Sequence, residues 1–214
     1  MTKELSSQES VTTPHRLESF SDGVMAIIIT VMVLRLNAPL VSTLNGWLPF
    51  MPRLIAFVLS FIFIAQYWNS HHQLLRFTKR ISEGVMWANT HLLFWLSLIP
   101  VTTAWIGEND NYLHESPVVL YGAVALMASI AYAILTRLIK RIEPHDVAVR
   151  HAVRNTKNIV SIITYTGGIA LAAFGSPLVG IVCYVLVSIL WIIPDRRLVS
   201  LWRQSPVHSF IRDS

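Results

Sequence analysis

The sequence predicts an all-α membrane protein with six transmembrane helices per chain and both termini on the cytoplasmic side. Three observations carry that reading. Hydrophobic residues fill 53% of the 214 positions and charged residues only 14%, against about 25% charged in an average soluble domain. Apolar runs recur at lengths close to the ~20 residues that a helix needs to cross hydrocarbon. The basic residues gather on alternate connections between those runs.

The runs lie near 17–36, 50–72, 84–106, 117–138, 158–174 and 177–194. The last two are short and meet at "FGSP", where Gly175 and Pro177 suit a tight turn. Residues 1–14, "MTKELSSQESVTTP", are polar and poor in aromatics, and are expected to be a disordered cytoplasmic N-terminus. No short apolar stretch with a cleavage site precedes Leu17, so no signal peptide is expected. Residues 15–195 are expected to form one transmembrane domain and 196–214 a basic cytoplasmic tail. The single cysteine, Cys183, falls in the sixth run and is read as packing, since one thiol makes neither an intrachain disulfide nor a metal site.

Of the 17 Lys and Arg residues, all but Arg35 and Arg53 fall on the N-terminus, the second and fourth connections or the C-terminus. An even number of crossings puts those four regions on one side. The third connection, "GENDNYLHES", has no Lys or Arg, and its Glu108, Asp110, His114 and Glu115 read as a solvated acidic loop. The positive-inside rule then places both termini in the cytoplasm. The net charge of +5 is accounted for by basic loops facing anionic lipid of the bilayer, without nucleic acid as a partner.

The first run, "RLESFSDGVMAIIITVMVLRL", starts with Arg16, Glu18 and Asp22, an unusual opening for a membrane span. Residues turn by about 100° each along a helix. One face therefore reads Gly23, Ile27, Thr30, Val31, Leu34, and a neighbouring face Glu18, Asp22, Ala26, Ile29, Val33. Glu18 and Asp22 are like charges four residues apart, which calls for compensation of at least one of them. Either Ser21 and Asp22 cap the helix, where free N–H groups favour an anion, or Asp22 anchors a buried polar cluster. Candidate partners are Trp68, His71 and His72 in "YWNSHHQLLRF" and Asn89 and His91 in "NTHLLFWLSLIP", which antiparallel crossing brings to the same level. The adjacent histidines point to different faces, so no metal pair is expected from them.

These stretches resemble the transmembrane protein 175 family, the potassium channels of lysosomes and their bacterial relatives. "RLESFSDGVMAIIIT" is similar to the family's first-helix signature of Arg, then Phe-Ser-Asp, then a small and apolar run. "YWNSHHQLLRF" and "NTHLLFWLSLIP" look like its second and third helices, so the resemblance covers roughly residues 16–107. The pattern occurs once, as in the bacterial single-repeat type, which implies a homotetramer around a central pore. The resemblance also implies a potassium-permeable channel whose first helix lines the pore and constricts it with apolar rings. Ile27 would be the constriction, with Val31 and Leu34 as further rings and Thr30 a polar lining group. Arg16, Phe20, Ser21, Asp22, Gly23, Trp68, His71 and Asn89 would be the motif and scaffold network that holds the helix. Arg35 departs from the pattern: it either adds a positive ring to the mouth or snorkels to lipid headgroups.

No stretch resembles a carbonyl selectivity filter, so partial dehydration at Ile27 is expected to give modest preference for potassium over sodium, with other monovalent cations as further candidate permeating ions. The alternative is a small secondary transporter for cations or protons. Transporters favour internal repeats, broken helices and mid-membrane ionisable groups. The first-helix motif has no second copy and no span carries a central charge, while Gly167-Gly168 offers one place for a break. An enzyme is not expected: "HDVAVRH", with His145, Asp146 and His151, matches no nucleophile or metal spacing, and no cofactor is implied beyond the permeating ions.

Overall fold

The computed structural model of the chain describes residues 13–36, 47–76, 78–108, 114–144 and 155–192. The segments 1–12 and 193–214 lie outside them, and with them the N-terminal and C-terminal regions singled out above, as do His145, Asp146 and His151. Every regular element among the described residues is helical: α1 Pro14–Leu34, α2 Met51–Arg76, α3 Glu83–Ser97, α4 Ile99–Glu108, α5 Glu115–Ile142, α6 Asn155–Ala173 and α7 Pro177–Ile192, with a 3-10 turn at Leu48–Phe50.

The boundaries follow local chemistry. α1 starts at Pro14, earlier than the apolar run, because proline's missing N–H costs nothing in a first helical turn. Ser82 caps α3 by accepting the Val85 N–H. The third run becomes two helices, α3 and α4, with the break at Leu98 just ahead of Pro100, which cannot continue the i→i−4 ladder. Gly175 supplies the turn between α6 and α7 with a left-handed φ of 89°.

Among the described residues four spans are long and apolar enough to cross a membrane: Pro14–Leu34, Met51–Arg76, Glu83–Gly107 and Glu115–Ile142. α7 is apolar but has 16 residues, about 24 Å of helix against ~30 Å of hydrocarbon. α6 carries Lys157 and Asn158 in its first turn. Of the six expected crossings, the first four are thus matched among the described residues by spans both long and apolar enough, while the described parts of the last two hold 19 and 16 residues.

α5 is the hub. Ala125, Ala128, Ala131, Leu135 and Ile139 are completely buried, and the small residues let neighbours approach closely. α1 packs on α2, α3 and α4, while α6 and α7 pack on each other and on α5. A Cβ on Gly180 would lie 2.9 Å from both Ala172 Cβ and Gly168 O. One on Gly168 would lie 2.7 Å from Tyr184 Cε1. These glycines are packing surfaces, and α6 runs unbroken through Gly167-Gly168, so the break a transporter would use there is absent.

Polar side chains tie the spans together where water is scarce. Tyr67 and Ser129 hydroxyls lie 3.1 Å apart, Thr103 Oγ1 donates to Ser60 Oγ at 2.7 Å, and Gln66 Nε2 donates to Ser188 O at 2.6 Å. At the C-terminus of α5, Glu143 accepts the backbone N–H groups of Lys79 and Arg80. That contact fastens the α2–α3 connection to α5, a role its Glu-Pro sequence does not reveal.

Candidate functional site

α1 has two opposed stripes. Leu17, Ser21, Met25, Ile28 and Met32 recur at spacings of three and four and are buried against the neighbouring helices. Gly23, Ile27, Thr30, Val31 and Leu34 lie on the other side and are exposed, Ile27 at 62% and Leu34 at 79%. A Cβ on Gly23 would meet nothing within 4 Å. The Thr30 hydroxyl donates to Ile27 O at 2.8 Å, which leaves its oxygen lone pairs as acceptors on the exposed side.

The buried stripe is fixed near one end by a directed chain of hydrogen bonds. Ser21 Oγ donates to Leu17 O at 2.8 Å and accepts from Asn89 Nδ2 at 2.9 Å. Asn89 Oδ1 sits 2.6 Å from His71 Nε2. Since that amide oxygen only accepts, the proton of His71 lies on Nε2, and its buried Nδ1 has no partner. Ser21, His71 and Asn89 are each fully buried, so α1, α2 and α3 are joined through groups with no access to water.

Both carboxylates of α1 find partners on α2. Trp68 Nε1 donates to Asp22 Oδ1 at 3.0 Å, and His72 Nδ1 lies 2.7 Å from Glu18 Oε1. The Trp68 and His72 rings stack at 5.8 Å, so a single turn of α2 faces the two carboxylates. Glu18, Asp22 and His72 offer three ligand atoms within 4.8 Å of one another. Trp68 donates to the Asp22 carboxylate, and the His72 imidazole stands against that of Glu18.

The structure therefore brings together Ser21, Asp22, Trp68, His71 and Asn89. It leaves Phe20 and Gly23 exposed, and the Arg16 side chain without a hydrogen bond or ion pair among the described residues. His91 takes no part: its Nε2 accepts from Trp95 Nε1 within α3 at 2.8 Å. Two features escaped the sequence reading. The buried anchor is Ser21 rather than Asp22, which is half-buried, and Glu18 has the His72 imidazole beside it. The i, i+4 series Leu17-Ser21-Met25 was the available signal for the first of these.

Residues 16–100 match a family model described as the endosomal/lysosomal potassium channel TMEM175. A potassium channel of a Chryseobacterium species is 44% identical over 187 residues, which cover 87% of this chain and 96% of that one. A potassium channel of Streptomyces collinus is 30% identical over 131 residues, covering 56% of this chain and 61% of its own. Among solved structures, a lysosomal potassium-selective channel TMEM175 homologue from Chamaesiphon minutus superposes with a TM-score of 0.73 at 25% identity, over 84% of this chain and 96% of that one.

Proposed function

The chain belongs to the TMEM175 family of potassium channels, and we propose that it is a potassium-permeable channel whose pore is lined by the exposed stripe of α1. The observation that carries this reading is the division of α1 into a tethered side and an unpartnered side. The Ser21-Asn89-His71 chain fixes the helix rotation, so Gly23, Ile27, Thr30, Val31 and Leu34 present one continuous surface away from the bundle.

One such helix cannot enclose a path. Closed rotational symmetry supplies the remaining walls from identical copies, and the family resemblance favours four. In that arrangement each apolar position becomes a ring. Ile27 forms the narrowest apolar ring, where a potassium ion gives up part of its hydration and the ring closes by dewetting when it narrows. Thr30, one turn further, offers acceptor oxygens on the same side. Selection by partial dehydration, without a cage of carbonyls, gives modest preference for potassium over sodium.

In this reading α6 and α7 complete six crossings, and the positive-inside rule applied to the basic connections favours a cytoplasmic side for both termini. The Phe-Ser-Asp motif acts as scaffold: Ser21 and Asp22 bind α3 and α2, and leave ion contact to the opposite stripe.

Ion flux from liposomes holding the purified chain tests the reading, with potassium and sodium gradients compared and the membrane potential clamped by a proton ionophore. Fast passive flux that favours potassium is expected. Absent flux, or saturable flux tied to a counter-ion, overturns it.

A further inference from the structure

A pocket of about 320 Å³ opens between α1, α2 and α4, at the end of the bundle remote from the Ser21-Asn89-His71 chain. Its wall includes Arg35 and Arg53, the two basic residues that the charge pattern leaves apart from all others, beside Met32, Phe57 and Gly107.

Arg53 is built into the wall. Its stem lies flat on α4, close enough that a Cβ on Gly107 would come within 3.1 Å of Arg53 Cγ and 3.3 Å of its Cα. Its Nε donates to Gly107 O at 3.0 Å. That bond uses one of the five guanidinium N–H groups and leaves those on the two terminal nitrogens. Arg53 also stands in the first turn of α2, the positive end of a helix, where a cation is disfavoured. Arg35 follows the last turn of α1, and its side chain makes no hydrogen bond or ion pair among the described residues. Neither guanidinium has a carboxylate partner among the residues whose side chains are described.

Two like charges on one partly enclosed wall repel, and the repulsion grows as water is excluded. An anion between them reverses the sign of that interaction, and the planar forks of arginine match oxyanions in a bidentate way. We propose that this pocket is an anion site that takes a phosphate or carboxylate group between Arg35 and Arg53. The phosphate of a phospholipid headgroup and a free anion share that chemistry. The site is independent of pore formation by α1.

The test follows heat unfolding of the full-length purified chain in an uncharged detergent, by tryptophan fluorescence. One arm titrates inorganic phosphate at constant ionic strength against chloride; the other titrates phosphatidylglycerol into the micelles against phosphate-free monoolein. At least one arm is expected to raise the unfolding temperature of the native chain. In Arg35→Gln and Arg53→Gln the concentration needed for half the effect is expected to rise about ten-fold or more, the loss of one charge-assisted pair. Arg35→Lys is expected to recover part of it. A response to inorganic phosphate identifies a free-anion site, and a response to phosphatidylglycerol alone identifies a headgroup site. No stabilisation in either arm, or an Arg35→Gln chain that responds as the native one does, overturns the proposal. Arg35→Gln serves as the decisive variant because the Arg35 side chain holds no other residue in place among the described residues.

Discussion

Asn89 Nδ2 donates to Ser21 Oγ across 2.9 Å, and through this bond the third span fixes the rotation of the first. Ser21 in turn donates to Leu17 O and Asn89 receives His71, so each group in the chain has its direction set by the next.

Removal of either partner leaves the other unsatisfied in a dry site. Ser21→Ala is expected to destabilise the folded chain by about 0.6–1.7 kcal/mol, the range for hydrogen bonds between membrane helices. Asn89→Ala should cost more, because it strands Ser21 and His71 together. Reversible unfolding in mixed micelles measures both, and an Asn89→Ala chain as stable as the native one would contradict the assignment.

Asp22 and Trp68 form a pair that asparagine can imitate and phenylalanine cannot. Trp68 donates to one carboxylate oxygen, so Asp22→Asn keeps an acceptor, while Asp22→Ala and Trp68→Phe each break the bond. The two breaking variants are expected to weaken stability by similar amounts, on the order of 1 kcal/mol, and the double variant by little more than either. Fully additive losses in that double-mutant cycle would show that the residues act separately.

Ile27 is expected to set both conductance and selectivity. Ile27→Asn replaces an apolar ring by one that holds water, so potassium flux should rise several-fold and the potassium-to-sodium ratio should fall toward one. Parallel flux assays with the two ions read both quantities.

The α6–α7 hairpin depends on close backbone approach. Gly180→Val inserts a branched side chain where even a Cβ would lie 2.9 Å from Gly168 O, a backbone atom that cannot rotate aside. A loss of about 1–3 kcal/mol is expected from overpacking, read by unfolding in micelles, whereas Gly167→Ala, with nothing within 4 Å, should be nearly neutral.

Much of the fold is legible in the sequence because lipid imposes one rule on every span: apolar length. That rule marks six runs, four of which meet helices of matching length and hydropathy among the described residues. It places ends less well, since Pro14, Lys157 and Arg141 extend helices into polar sequence that hydropathy discounts. It also overlooks the break ahead of Pro100, where composition stays apolar while the hydrogen-bond ladder fails. At the site, spacing separates the two stripes of α1. It cannot rank Ser21 above Asp22 as the anchor, because a serine's burial depends on the rotation of its helix against Asn89, a residue 68 positions away. The Arg35–Arg53 pocket is equally invisible, since it needs Gly107 to bring α2 onto α4.

The most direct measurement asks whether ions pass Ile27. In a Cys183→Ala background, which removes the single native thiol, Ile27→Cys would be treated with a cationic methanethiosulfonate reagent while potassium flux from liposomes is recorded. A pore lined by the exposed stripe predicts that modification suppresses the flux by most of its value, with no effect on the Cys183→Ala chain alone. Complete labelling that leaves potassium flux unchanged would place the ion path elsewhere in the protein.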